Sequence, residues 1–425
     1  MDRPNARGRR ARHRRKESAV TKADWLQDTS PAFRLMIATS WLAPDSWRAN
    51  QDHAIGAAID AGPDWSEYLR LLDRHGTPGL GWAALRSIPE ITVPEYAAQK
   101  LKERSDDCRK QGILYCLVLA DVLKRLNRAA IPAMPMKGQI LSFDLYQDVG
   151  LRYSRDLDVE VRREDLHKAQ SCLEGEEWQL EASFFPMSPR QWDSFLRNEQ
   201  HINFMHLASG CMLELHWRSQ WETAEATSAR WARSVPAVWQ QHPIRAMHPG
   251  DLAHYLCSHG GLHRWFRAKW LGDLARAHSL GLLNWEASLA EAQKSGEERV
   301  LLAGLGLLRD VYGLPMPELP QSIWKSWSPL LVVMPMRALK VPAEPANRVG
   351  AAKLCDRIRR SRYERLLWPR KSRWRSLSDL FYSREDFRTL NLPDGLFCSY
   401  KLLRPVLWSW RWVRQLVCRT RHHRN

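Results

Sequence analysis

In RDLDVEV, residues 155–161, Asp156, Asp158 and Glu160 alternate with Leu157, Val159 and Val161. An extended chain puts alternate side chains on opposite faces, so three carboxylates share one side and three apolar groups the other. A second alternating run, CMLELHWR, sets Met212, Glu214 and His216 against Leu213, Leu215 and Trp217. If the two runs are neighbouring strands, Glu214 joins Asp156 and Asp158. Converging carboxylates repel unless cations neutralise them. Hard divalent ions such as Mg²⁺ or Mn²⁺ take oxygen ligands, commonly one or two carboxylates with substrate phosphates. A pair of such ions activates an attacking oxygen and stabilises a leaving one.

The flanks of the strand suit phosphate. Lys137-Gly138 lies between a short apolar run, IPAMPM, and a helical one. Glycine lets the backbone approach closely, and a helix N-terminus attracts anions. Arg152 and Ser154 precede the Asp pair and are candidate contacts to phosphate oxygens. Glu160 reads as a solvated or salt-bridged residue at the strand end. His201 and His216 flank the expected hairpin as candidates for orienting Glu214 or substrate, with structural roles equally open. His259 and His263 have i, i+4 spacing, but Gly260-Gly261 lies between them and no H-E-x-x-H pattern is present. Hydrogen-bonded structural histidines fit that better than a zinc site. Arg264, Arg267 and Lys269 follow, able to close over a nucleotide or to serve as helix-surface charge.

Stepping outward, residues 131–220 read as strand, helix, strand, helix and hairpin. The second helix is expected over 163–178 and the hairpin around Ala208-Ser209-Gly210. Helical spacing precedes this unit. Ser30 and Pro31 suit an N-cap and first helical position, and a long helix over 93–128 takes Leu114, Leu117, Leu119 and Val122 for its apolar stripe. Helical spacing returns over 222–312. The expected organisation is a basic arm at 1–20, a helical region at 21–128, an α+β core at 129–221, a helical domain at 222–320 and a basic, Trp-rich helical region at 321–425.

The chain has 425 residues and a formal net charge of +17, unevenly spread. Residues 1–16 carry +7, residues 340–425 carry +14 and the body between them −4. Basic ends suit nucleic acid, an acidic partner or anionic lipid. The helical stripe Val406, Trp410, Val413 and Val417 suits a membrane surface, RNA or, preferentially, docking on the protein's own body. No apolar run of about 18 residues is present, so no membrane span is expected. The basic N-terminus lacks the apolar stretch of a secretory signal. Eight scattered cysteines without a C-x-x-C pair point to reduced thiols and a cytoplasmic setting.

MKGQILSFDLYQDVGLRYSRDLDVEV, then ELHW, then LCSHGGLHRWFRAKWLGDLA together resemble the uncharacterised nucleotidyltransferase family of the DNA polymerase β-like superfamily. The resemblance runs from about residue 30 to about 410 and is densest over 131–280. It rests on the KG turn, the R-x-x-x-D-L-D-x-x-V strand, the E-L-H-W strand and the K-W-L-x-D-L-A segment. It implies an α+β fold: a small mixed sheet carrying the metal carboxylates, embedded in largely helical regions. The implied reaction is Mg²⁺- or Mn²⁺-dependent transfer of a nucleoside monophosphate from NTP to an acceptor, which could be a small molecule, peptide or saccharide, in a bacterial cytoplasm or at the membrane periphery. Asp156, Asp158 and Glu214 would be both metal ligands and catalytic residues, with Glu214 as base. Lys137, Gly138, Arg152, Ser154 and Lys269 would meet the nucleotide. The glycine turn lies eighteen residues before Asp156, where the superfamily's usual Gly-Ser or Gly-Gly lies about ten before. The alternative is a degenerate transferase fold that binds nucleic acid or protein, including toxin–antitoxin pairs.

Overall fold

The computed structural model describes residues 28–181, 185–220, 222–341, 350–369 and 383–422, with backbone alone for 350–354 and 412–422. The basic arm at 1–20 lies outside them. In chain order the helices are α1 (Pro31–Ala38), α2 (Asp45–Asp60), α3 (Trp65–His75), α4 (Pro78–Arg86), α5 (Glu95–Arg128), α6 (Gln139–Tyr146), α7 (Leu166–Leu173), α8 (Pro189–Asn198), α9 (Ala224–Arg233), α10 (Pro249–Leu262), α11 (Ala268–Ser279), α12 (Trp285–Ser295), α13 (Glu298–Leu307), α14 (Leu330–Leu339), α15 (Gly350–Leu367), α16 (Arg384–Thr389) and α17 (Tyr400–His422). The strands are β1 (Ala133–Pro135), β2 (Asp156–Val161), β3 (Trp178–Leu180), β4 (His201–His206), β5 (Met212–His216), β6 (Val235–Trp239) and β7 (His242–Ala246).

The chain divides into two compact units. The first takes in the described parts of Met1–Ile113, Ser142–Tyr153 and Leu252–Arg360 and is helical. Its first helix starts as its residues require: Ser30 accepts a hydrogen bond from the Phe33 amide, and Pro31 opens the helix. α1 packs on α2 and α3 through Leu35, Met36, Ile55, Tyr68 and Leu72, all fully buried. α3 ends at Gly76, whose φ of 69° only glycine adopts freely. Farther along, α13 packs on α14, and Leu301, Leu305 and Leu331 are fully buried.

The second unit takes in Leu114–Leu141, Ser154–Asp251 and the described parts of Ser361–Asn425. It holds a five-stranded mixed sheet of order β1-β2-β5-β4-β3, in which β2 and β5 are parallel and the other neighbours antiparallel. Leu157, Val159, Val161, Leu213, Leu215, Ile202 and Phe204 fill one face with at most 2% exposure. That burial sets the register, since a one-residue slip would turn every apolar side chain to the other face. The α+β class and the β4–β5 hairpin are as expected from the sequence.

Four expectations are corrected. The helix over 163–178 is a short 3-10 turn and then α7. Past Gly175 the chain becomes β3, whose Trp178 is buried and pairs with His206 at the sheet edge. The stretch 222–312 is not wholly helical, because β6 and β7 form a hairpin. Its turn uses Gln240 and Gln241 at φ 43° and 67°, without the Asn or Gly that normally marks such a turn. On α5, Leu119 and Val122 are buried, but Leu114 and Leu117 are 39% and 65% exposed. Tyr115, Cys116, Val118, Leu123 and Leu126 provide the buried side. On α17, Val406 and Trp410 face solvent, and the helix docks through Tyr400, Leu403 and Leu407 instead. The side chains of Val413 and Val417 lie outside the described residues. All the described cysteines are free.

Candidate active site

The parallel pairing of β2 and β5 sets Asp158 directly beside Glu214 and Glu160 beside His216. Across β4, His201 pairs with His216 and Asn203 with Glu214. One face of three adjacent strands therefore carries Asp156, Asp158, Glu160, Glu214, His216, His201 and Asn203. β1 adds the turn after it: the Met136 amide donates to the Asp158 carbonyl at 3.0 Å and extends the ladder to the edge of Lys137-Gly138. Gly138 has φ 68°, and a Cβ there would stand 3.4 Å from Ser154 Oγ and 3.6 Å from the Asp156 carbonyl. The turn is thus laid closely against the start of β2. Ser154 Oγ donates to the Asp156 carbonyl at 3.1 Å.

The charges at the centre converge on Asp158. Lys137 Nζ lies 2.9 Å from Asp158 Oδ1, and the carboxylate side chain is fully buried. His216 Nε2 lies 3.2 Å from that same oxygen and 3.2 Å from Glu214 Oε2. Burial alone would raise Glu214, but the His216 hydrogen bond and the charges of His216, His201 and Lys137 hold it at about 2. Burial would likewise lower His216, yet its hydrogen bonds and charge interactions with Asp158 and Glu214 lift it to about 9. His201, its ring 4.9 Å from that of His216, is pushed to about 4 by burial and by the His216 charge. Asp158 Oδ2 is buried with no hydrogen-bond partner among the described residues, as are His216 Nδ1, His201 Nδ1 and Asn203 Oδ1.

Polar atoms left without partners are costly when buried. A carboxylate oxygen with free lone pairs, beside a second carboxylate and two imidazoles, fits a divalent cation. His201, Glu214 and His216 offer donor atoms that all lie within 4.8 Å of one another. The two histidines enter as near neighbours of Glu214, a position their place in the hairpin already suggested. Asp156 opens the same face at the partly exposed start of β2.

Glu160 differs. It is fully buried, and both its oxygens accept from Arg230 at 2.9 Å while Oε1 also accepts from Trp231 Nε1 at 2.7 Å. Burial pushes its carboxyl upward, and the Arg230 guanidinium opposes that push. Arg230 also holds Glu222 at 2.7 Å. Glu160 is therefore salt-bridged and not solvated. The sequence carried no signal for its partner, because Arg230 lies seventy residues away on α9.

Arg152 and Lys269 belong to the other unit. Arg152 Nε donates to Asp273 Oδ2 at 2.8 Å, both groups almost fully buried. Lys269 Nζ donates to the Tyr153 carbonyl at 3.0 Å. His259 and His263 pack on Trp270, with the His263 ring stacked at 4.7 Å. Gly260 explains itself by packing: a Cβ there would come within 2.5 Å of the Trp265 ring. Beside the carboxylate face, a cavity of about 190 Å³ is lined by Glu181, Glu199, His201, Ile202, Asn203 and Arg384.

A mixed sheet with paired carboxylates on adjacent strands, next to a glycine turn, is the arrangement expected of a nucleotidyl-transfer fold. The family model described as "Uncharacterised nucleotidyltransferase" matches residues 61–313, and the chain belongs to that family. No curated protein and no solved structure matches the chain.

Proposed function

We propose that the protein transfers a nucleoside monophosphate from an NTP to an acceptor oxygen, with Asp156, Asp158 and Glu214 holding Mg²⁺ or Mn²⁺. The observation that supports this most directly is the buried Asp158 with an unpartnered Oδ2, beside Glu214, in a chain of a nucleotidyltransferase family. Bound divalent cation would supply neutralisation of the triphosphate and activation of the attacking oxygen.

The residues contribute as follows. Lys137, with 14% of its side chain exposed, carries positive charge to the mouth of the site, where phosphate oxygens of an incoming nucleotide would gather. Gly138 leaves room for close backbone approach, and Ser154 braces the turn against β2. Glu214 is ionised at neutral pH and accepts the hydrogen bond of the acceptor hydroxyl; the acidity that a bound cation would give that hydroxyl, and not the basicity of a carboxylate held at about 2, would let the proton pass. With no cation bound, His216 is charged at neutral pH and holds Glu214 and Asp158 in place; to ligate a cation it would have to give up that proton. The acceptor oxygen bonds to the α-phosphorus, the bond to the bridging oxygen breaks, and pyrophosphate leaves. The cavity beside His201 and Asn203 is polar and large enough for a small acceptor or one residue of a larger one. Arg152 secures Asp273 within the other unit.

Incubation of the protein with each labelled NTP, Mg²⁺ or Mn²⁺ and cell extract tests the reading. Label should move to a defined molecule with wild type and not with Asp158→Asn. Equal labelling by the two proteins would refute it. The degenerate-fold reading, in which the chain binds nucleic acid or a protein partner, has one observation in its favour: Lys137 already neutralises Asp158. It predicts no cation-dependent nucleotide binding at all.

A further inference from the structure

The terminal helix α17 has two apolar sides, of which one is used. Tyr400 and Leu407 are buried against Phe387, with Phe185, Leu392, Phe397 and Leu403 packed around them. Tyr400 OH accepts from Gln191 Nε2 at 2.9 Å and donates to the Leu390 carbonyl at 2.6 Å. On this docked side Arg404 and Arg411 are held by the buried Asp386. The helix is therefore fixed to the unit, and its other side faces outward.

That outward side carries Leu402, Val406 and Trp410 at i, i+4 and i+8, which lie above one another on a helix. They are 83%, 65% and 63% exposed, and Trp408 on the flank is 61% exposed. In sequence the spacing continues with Val413 and Val417. Besides Arg404 and Arg411, the helix carries Lys401, Arg414, Arg419 and Arg421, and it has no Asp or Glu.

We propose that this face of α17 is a docking surface for an anionic lipid bilayer, with the helix lying in the headgroup plane. The charge identifies the occupant. A second copy of the chain would bring one all-basic helix against another, which like charges oppose. A nucleic acid would satisfy the basic residues but leave the aliphatic Leu402–Val406 stripe in contact with a polyanion. An acidic membrane surface takes both: Leu, Val and Trp enter the interface while Lys and Arg meet phosphates. No described helix is long and apolar enough to cross the membrane, so the mode is surface attachment. The proposal stands independently of the nucleotidyl-transfer reading.

The test is flotation of nuclease-treated, full-length protein with vesicles of phosphatidylcholine alone and with vesicles that also contain phosphatidylglycerol. Wild type should float with the acidic vesicles and not with the neutral ones. Leu402→Gln and Trp410→Gln preserve charge and alter exposed positions, so their melting temperatures should match wild type while lipid binding falls about tenfold or more. The proposal is overturned if wild type ignores acidic vesicles, if neutral vesicles bind equally well, or if both variants float as wild type does. Retention of RNA unchanged by these variants, with no flotation, would assign the basic helix to nucleic acid instead.

Discussion

Asp158 and Glu160 stand two residues apart on one face of β2, both at most 2% exposed, yet their surroundings differ. Glu160 is closed: Arg230 and Trp231 meet both its oxygens, and Arg230 binds Glu222 as well. Asp158 is open: Lys137 and His216 share one oxygen, and the other has no partner among the described residues. A buried charge network that serves only the fold can satisfy every lone pair. One that must receive a ligand has to leave some unsatisfied. Two carboxylates with the same spacing and burial are thereby assigned different work.

Substitutions can break this contrast. The largest effect is expected for Asp158→Asn, which should lower nucleotidyl transfer by about a thousandfold or more, roughly 4 kcal/mol in barrier. It should cost less stability in urea than breaking the closed cluster does, since Asn keeps the volume and one acceptor and Lys137 retains some access to water. Arg230→Met should do the reverse. It strands Glu160 and Glu222 without a cation, and urea denaturation should show a loss of about 3–5 kcal/mol. A variant equally stable to wild type would show that the closed cluster is dispensable.

Cation binding sharpens the contrast further. Mn²⁺ at about a hundred times its dissociation constant should stabilise wild type by about 2.7 kcal/mol, read as a rise in melting temperature. Asp158→Asn should lose that rise, whereas Glu160→Gln, if it folds, should retain it. The smallest effect is expected from pH. Burial would raise Glu222, but Arg230, Ser219 and Thr227 hold its carboxyl below the ordinary range. A depressed acid contributes stability that is fully present above its unfolded pKa of about 4.3 and is lost as pH falls through the folded value. Glu222→Gln should therefore be less stable than wild type at neutral pH, and the gap should narrow below about pH 4. A gap that stays constant with pH would remove Glu222 from the acid-sensitive set.

Much of this was legible in the residues because period-2 patterning is local. RDLDVEV and MLELH announce which side chains share a face, and so the carboxylate side of the sheet could be read before any strand was placed. The Lys137-Gly138 turn was legible too, but its use was not. That Lys137 neutralises Asp158 depends on β1 lying antiparallel to β2, a tertiary fact. Arg152 looked like a phosphate contact because it precedes the strand, yet its partner Asp273 lies 121 residues away. The β6–β7 hairpin was invisible because Gln240-Gln241 carries no turn signal. The outer face of α17 was legible as a stripe, but which stripe packs is decided by Phe387 and Phe397.

The most direct measurement is isothermal titration of Mn²⁺ into wild type, Asp158→Asn and Glu160→Gln, each first shown to be folded by circular dichroism. Wild type and Glu160→Gln should bind alike, and Asp158→Asn should bind at least about tenfold more weakly, a loss of about 1.4 kcal/mol. Equal affinity in wild type and Asp158→Asn would contradict the claim that the open carboxylate is the cation site.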